Sequence, residues 1–171
     1  MGYAMVISAI LAPKRIFLSW AHLDRRLKDA LLTDLRPALG LLRDIHVEWW
    51  EDSHLTCGED LTPGIVDRLD EADFGLLLLS TRYFGRSFIQ RYELPRFAGT
   101  GADKAALPVA LSPLPRPDPG WNLRGVERQV VFTHAGKSFA ELPAAKRTIF
   151  ANDLAGAIRR RLLGLNGYRA P

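Results

Sequence analysis

The sequence has little of several features that mark particular classes of protein. It contains one cysteine, Cys57, which excludes an internal disulfide framework and a cysteine-cluster metal site. No apolar run approaches the ~20 residues that a membrane-spanning helix needs. No Lys or Arg precedes the apolar residues 3–12, as it would in a secretory signal peptide. Charged residues make up an ordinary 25% of the chain, so we expect a soluble cytoplasmic protein with no membrane partner.

Charge is unevenly distributed along a chain whose length of 171 residues suits one domain. Residues 44–73 contain ten acidic side chains and one basic one, whereas the stretch from 137 to the end contains seven basic and two acidic. Surfaces of opposite sign favour head-to-tail association between copies. A solvated face, with cations placed at a helix C-terminus, explains the same pattern. We expect an N-terminal extension over 1–13, the domain over 14–164 and a tail over 165–171.

Apolar runs alternate with helical patterns along the chain. Five runs are short and rich in strand-forming residues, at 15–20, 45–50, 74–80, 106–111 and 130–132. Helical patterns lie between them: a leucine repeat from 27 to 39, a start at Thr62-Pro63, a segment at 83–97 that Pro95 should bend or end early, and residues 144–163. Strands that alternate with helices in one domain predict a parallel sheet with helices on both faces.

The ends of the first three predicted strands are the place to look for a site. Ligands of open parallel sheets bind outside the carboxyl ends of the strands. The segments that follow these strands are residues 19–24, 51–61 and 80–93. Asp24 in the first of them is a residue type that caps the helix that follows.

The same three segments carry short motifs in a recognisable order. The run Phe-Leu-Ser-Trp stands at 17–20, Trp-Glu-Asp at 50–52 ahead of an acidic loop, and Glu-Leu at 93–94 after the third strand. In this order and spacing the chain resembles a TIR (Toll/interleukin-1 receptor) domain over residues 14–163, with its first box, its BB loop and its Glu-Leu pair. The resemblance implies an α/β fold: a flavodoxin-like three-layer sandwich with a central five-stranded parallel sheet.

TIR domains divide between scaffolds that signal by self-assembly and enzymes that cleave NAD at the nicotinamide–ribose bond. By resemblance, the catalytic residue of the enzymes is the glutamate of the Glu-Leu pair, here Glu93. Loss of nicotinamide leaves positive charge on the ribose, and a carboxylate in a water-poor cleft stabilises that charge. The resemblance thus implies an NAD+ nucleosidase (NADase) that yields nicotinamide and ADP-ribose or a cyclic ADP-ribose. NAD is then the substrate, no cofactor is needed, and the setting is microbial (antiviral) defence.

The resemblance also implies substrate contacts by residues that follow the first three strands. These candidates are Ser19, Trp20, His22, Trp50, Asp52, Leu61 and Ser87. Other interpretations stay open, because both tryptophans suit a core, His22 suits a solvated position and Ser87 suits a bond to its own helix. The chain departs from the enzymes at Ile89, where they often carry Trp, and at Gln90, where Cys is usual.

We expect the NADase to be activated by assembly with other TIR domains, as a homo-oligomer or filament, with a trigger protein or a partner domain as further partners. Other functions were weighed against the NADase. A noncatalytic adaptor module would instead use the loop 51–61 and the flanking helices to contact another TIR domain. A receiver domain would need an acidic pair after the first strand, and a Rossmann or P-loop site would need glycine motifs that the chain lacks. The four histidines have no metal-ligand spacing, and nucleic-acid binding would depend on net basicity alone.

Overall fold

The sheet of this protein contains four parallel strands among the residues that its computed structural model describes. Those residues are 13–51, 63–86, 89–116 and 120–164, apart from the side chains of 63–65. The strands are β1 (Lys14–Ser19), β2 (Val47–Glu51), β3 (Phe74–Leu79) and β4 (Ala105–Ala110). Their spatial order is β2-β1-β3-β4. The predicted α/β class is confirmed, and the order is consistent with a flavodoxin-like sheet.

Helices flank the sheet and connect its strands. They are α1 (Arg25–Gly40), α2 (Pro63–Glu71), α3 (Thr81–Phe84), α4 (Leu94–Phe97) and α5 (Ala144–Leu162). Shorter turns are a π-helical turn at Ile89–Glu93 and 3-10 turns at His22–Asp24, Val126–Arg128 and Phe139–Glu141. Among the described residues, no helix has both the length and the apolarity to cross a membrane. The predicted extension and tail lie almost wholly outside the described residues.

The described residues form two apolar core clusters, one on each face of the sheet. All six residues of β3 are buried, as expected for a central parallel strand covered on both faces. Side chains alternate along it, so Leu76 and Leu78 join one cluster and Leu77 and Leu79 join the other. Helices α1 and α5 contribute to the first cluster, while α2, α3 and α4 contribute to the second. The site described below lies on the face of the second cluster.

The predicted fifth strand at 130–132 is wrong. Phe132 forms a single parallel bridge with Val109, in which its N–H donates to the Pro108 carbonyl at 2.8 Å. Phe132 is buried, but Val130 is 71% exposed, and within the run Phe132 is the residue that bridges to the sheet. The chain then turns away at residues 134–137, where His134 and Lys137 pair with each other. A run of three apolar residues does not distinguish such a bridge from a strand.

The predicted third helix at 83–97 is interrupted. Helix α3 ends at Phe84, and a π-helical turn at Ile89–Glu93 precedes α4. Pro95 has no N–H, and its ring would clash with the carbonyl of the residue four positions earlier in a regular helix. The wider turn directly before Pro95 avoids that clash. Residues 87 and 88, between α3 and this turn, lie outside the described residues.

One aromatic ring of α4 packs directly on the sheet. Phe97 packs on β3 directly over Gly75, and its ring centroid lies 6.2 Å from that of Phe17 on β1. A Cβ at position 75 would lie 2.6–2.9 Å from three carbons of the Phe97 ring, so only glycine fits there without a shift. Because Phe97 is four residues after Glu93, this contact helps to set the position of the candidate catalytic residue.

The acidic and basic segments meet within the chain. Arg159 of α5 forms a two-nitrogen ion pair with Asp44, with the shortest distance 2.5 Å between Nη2 and Oδ2. Three more acidic side chains of the 44–73 stretch have basic partners in the same chain: Glu51 with Lys28, Asp70 with Arg96 and Glu71 with Arg15. Part of the local charge is therefore balanced internally.

Candidate active site

The site begins where β1 and β3 end side by side at the centre of the sheet. Ser19 is the last residue of β1, and Ser80 follows the last residue of β3. The chain passes from β1 to β2 on one side of β1, and then from β2 to β3 on the other side of β1. The order of the strands therefore reverses between β1 and β3. In open α/β sheets, ligands bind at such switch points of strand order. Both serines are buried there.

Glu93 lies at this point with its carboxylate inside the protein. The residue is 4% exposed, and its Oε2 accepts a hydrogen bond from the Ser19 hydroxyl. The Ser19 Oγ also lies 2.7 Å from the hydroxyl oxygen of Tyr83, which is fully buried. The turn at Ile89–Glu93 ends at this glutamate, so the interruption of the helix is part of the site. π-helical turns are frequent at functional sites.

Burial raises the pKa of Tyr83 well above its ordinary value of 10.0, and the negative charge of Glu93 raises it further. Tyr83 therefore keeps its proton at neutral pH.

A second group of polar side chains adjoins the first. The Ser80 hydroxyl donates to Oδ2 of Asp24, whose Oδ1 lies 3.2 Å from Nη1 of Arg82. The Ser80 Oγ in turn accepts from the backbone N–H of Tyr83 at 3.1 Å, which caps α3. The expected capping of α1 by Asp24 is wrong, because its side chain makes no capping bond and instead joins the β1 turn to the start of α3.

Trp20 and His22 lie together beside α1. Their rings are stacked with centroids 5.1 Å apart, and Trp20 is 6% exposed within the first core cluster. The ammonium of Lys28 lies 4.3 Å from the centroid of the Trp20 ring and 3.4 Å from a carboxylate oxygen of Glu51. The burial of the Trp20 ring in this cluster favours the interpretation of Trp20 as a core residue.

Trp50 lies on β2, half-buried against the second core cluster. Its indole N–H donates to Glu48 at 3.0 Å, and the Arg15 guanidinium lies 5.1 Å from its ring centroid. These contacts direct the polar edge of the ring toward the start of β2 rather than its carboxyl end. Asp52, Leu61 and Ser87 lie outside the described residues. Of the five predicted residues that the structure describes, Ser19 contacts Glu93 and Trp20 stacks on His22, while the indole of Trp50 donates to Glu48 instead.

Sequence reasoning did not assign four of the residues described above to the site, namely Tyr83, Ser80, Asp24 and Arg82. The partner of Tyr83 is 64 residues away in the chain and that of Ser80 is 56 away. No local pattern reports such pairings, although the position of Ser80 after a buried strand was a usable signal. Within the described part of the chain, no group of three or more His, Cys, Asp or Glu side chains is arranged to hold a metal ion.

Comparisons with known proteins give a partial likeness. No protein-family model matches the chain. A stretch of 81 residues is 31% identical to a protein of Sinorhizobium fredii named "Uncharacterized protein y4lF". That stretch is 47% of this chain but only 24% of the length of the relative. The chain is therefore similar to a minor part of a longer bacterial protein.

Proposed function

We propose that this protein is a TIR-like NAD+ nucleosidase in which Glu93 is the catalytic residue. The observation that carries the proposal is the placement of one buried carboxylate at the carboxyl ends of β1 and β3. The motif order that resembles TIR domains supports it, as does the strand order of a flavodoxin-like sheet. The proposed setting is the cytoplasm of a microbe, where NAD cleavage would serve defence.

The chemistry needs one carboxylate. The bond between C1′ of the ribose and the ring nitrogen breaks, and its electron pair leaves with nicotinamide, which departs as a neutral pyridine. Positive charge develops on the ribose, and a carboxylate in surroundings that exclude water stabilises it more strongly than in bulk solvent. Water then attacks C1′ and loses a proton to give ADP-ribose, or a nucleophile of the ADP-ribose itself closes a ring.

The bond from Ser19 shows that a hydroxyl can reach Glu93 at the end of β1. A ribose hydroxyl is the same kind of donor, so we propose that the ribose binds this carboxylate through a bond of that kind. Holding the sugar in this way places the carboxylate beside C1′ as the base leaves.

Glu93→Gln is the sharpest test of the proposed function. The amide oxygen of glutamine can still accept the Ser19 bond, so the fold should persist while the negative charge is lost. We expect the rate of nicotinamide release from NAD, measured by chromatography, to fall by at least about 100-fold. Glu71→Gln is the matched control, because it removes an exposed carboxylate that pairs with Arg15. Wild-type turnover by both Glu93→Gln and Glu93→Ala would refute the assignment.

A noncatalytic TIR–TIR signalling adaptor is the second candidate. The observation that favours it is that Glu93 is already hydrogen-bonded inside the fold, as a structural carboxylate would be. A folded wild-type protein that releases no nicotinamide at any protein concentration would decide for this adaptor role.

We also propose that the protein acts as an assembly with further copies of itself or other TIR domains. The uneven charge supports this, although the four internal ion pairs reduce what a neighbour would meet. Specific activity should rise with protein concentration and fall with salt, because charges are screened over ~8 Å at physiological ionic strength. A specific activity independent of both would contradict assembly through charged surfaces.

A further inference from the structure

Three buried side chains form a hydrogen-bonded chain whose direction follows from counting protons. A serine hydroxyl carries one proton, and Ser19 donates it to Glu93. The 2.7 Å contact between Ser19 and Tyr83 must therefore use the proton of the Tyr83 hydroxyl. Both protons point toward the carboxylate, from Tyr83 to Ser19 and from Ser19 to Glu93.

Tyr83 is a donor whose place is fixed from two sides. Its side chain has no exposed surface, and its backbone N–H donates to the Ser80 Oγ at the first turn of α3. Ser80 in turn donates to Asp24 in the turn after β1. Because burial and the charge of Glu93 raise its pKa, the Tyr83 hydroxyl keeps its proton at neutral pH.

We propose that Tyr83 is a positioning residue for Glu93 and acts through Ser19. By donating to Ser19, it occupies the acceptor side of that hydroxyl and keeps its proton turned toward the carboxylate. Each donor in such a chain strengthens the next bond. The orientation of Glu93 is thereby set before a substrate binds. The consequence of this orientation for catalysis rests on the proposed function.

Steady-state NAD cleavage by Tyr83→Phe, Ser19→Ala and the double variant tests the catalytic consequence. We expect Tyr83→Phe to lower kcat about tenfold and to leave KM within about twofold, because only stabilisation of the transition state is lost. The double variant should be no slower than Ser19→Ala, since both changes break the same chain. A purely structural role would lower thermal stability but leave kcat of the folded protein unchanged.

Ser138→Ala is the matched control. Ser138 is also buried, and its hydroxyl donates to a glutamate, Glu141, at 2.8 Å, outside the candidate site. This variant removes the same atoms and the same kind of bond as Ser19→Ala. We expect it to keep the wild-type kcat.

Carboxyl 13C NMR tests the positioning role without any turnover. The Glu93 signal, assigned by its loss in Glu93→Gln, should move in Tyr83→Phe and in Ser19→Ala but stay in place in Ser138→Ala. An unmoved signal in Tyr83→Phe, or a wild-type kcat in that variant, would overturn the positioning role and leave the proposed function standing. A wild-type protein that cleaves no NAD would overturn the proposed function, and the carboxyl signal would still decide whether Tyr83 orients Glu93.

Discussion

Gly75→Ala is the substitution for which the structure makes the clearest quantitative prediction. The added methyl would lie 2.6, 2.7 and 2.9 Å from three carbons of the Phe97 ring. Ordinary van der Waals contact of a Cβ is 3.4–4 Å, so the ring would have to move by several tenths of an ångström. Phe97 is buried and packs on Phe17, so it has little room to do so. The expected result is a displaced or loosened α4.

The magnitude follows from opposing contributions. Overpacking of a core costs about 1–3 kcal/mol, and contact with three atoms of a buried ring places this site at about 3 kcal/mol. Burial of the methyl returns about 0.8 kcal/mol, and the lower backbone entropy of alanine in the unfolded chain returns about 0.7 kcal/mol. We therefore expect a net loss of about 1.5 kcal/mol, or about 3–6 °C in Tm for a domain of this size.

Urea unfolding followed by circular dichroism measures this loss directly. Gly40→Ala is the control, because a Cβ at the end of α1 meets nothing within 4 Å and should be neutral or slightly stabilising. Phe97→Leu should relieve the clash, so the double variant with Gly75→Ala should be less destabilised than the sum of the two single variants. Gly75→Ala with wild-type stability, or strict additivity of the pair, would refute the packing that positions α4.

Two further predictions concern pH. The pKa of Tyr83 is raised by burial, so its stabilising contribution is present below its ordinary value of 10.0 and is lost as pH rises through the folded-state value. The difference in tyrosinate absorbance between the wild type and Tyr83→Phe should therefore be absent at about pH 11 as long as circular dichroism shows a folded protein. A tyrosinate signal from the folded protein at that pH would contradict this prediction. The hydrogen bond from Arg159 lowers the pKa of Asp44, so its contribution is present above the ordinary value of 3.8 and lost as pH falls through the lower folded-state value. Asp44→Asn should therefore lower Tm at neutral pH, and the difference should shrink in acid. A difference independent of pH would count against the pair.

Those parts of the fold with a long, regular pattern were predictable from the sequence. The unbroken apolar run of β3 and the leucine repeat of α1 each report burial on a known face, and both elements formed within a residue or two of the expected bounds. The run at 130–132 was too short to separate a strand from a single bridge. The segment at 83–97 has helical composition, but the width of a turn ahead of Pro95 depends on packing that no local pattern contains.

The same distinction applies to the site. The segments that contain Ser19 and Glu93 were predicted from their positions after the first and third strands, because parallel strands bring their carboxyl ends to one edge. The two residues themselves were assigned only by the resemblance to TIR domains. Tyr83 was missed because a tyrosine on the buried side of a helix has the pattern of a core residue, and only the tertiary structure reveals the partner of its hydroxyl. Asp24 was assigned to the nearest helix, whereas its partner comes from the end of another strand.

Pro108 on β4 has a consequence for how copies of this chain can meet. Its carbonyl faces Phe132, on the side of β4 away from β3, and in a parallel strand the amide nitrogen of a residue faces the same side. The proline ring therefore removes no bond between β3 and β4, but it removes a donor from the outer rim of the sheet. An incoming strand would find that rim interrupted at its centre and already occupied by Phe132. Growth of the sheet from one molecule to the next is thereby disfavoured at the β4 rim.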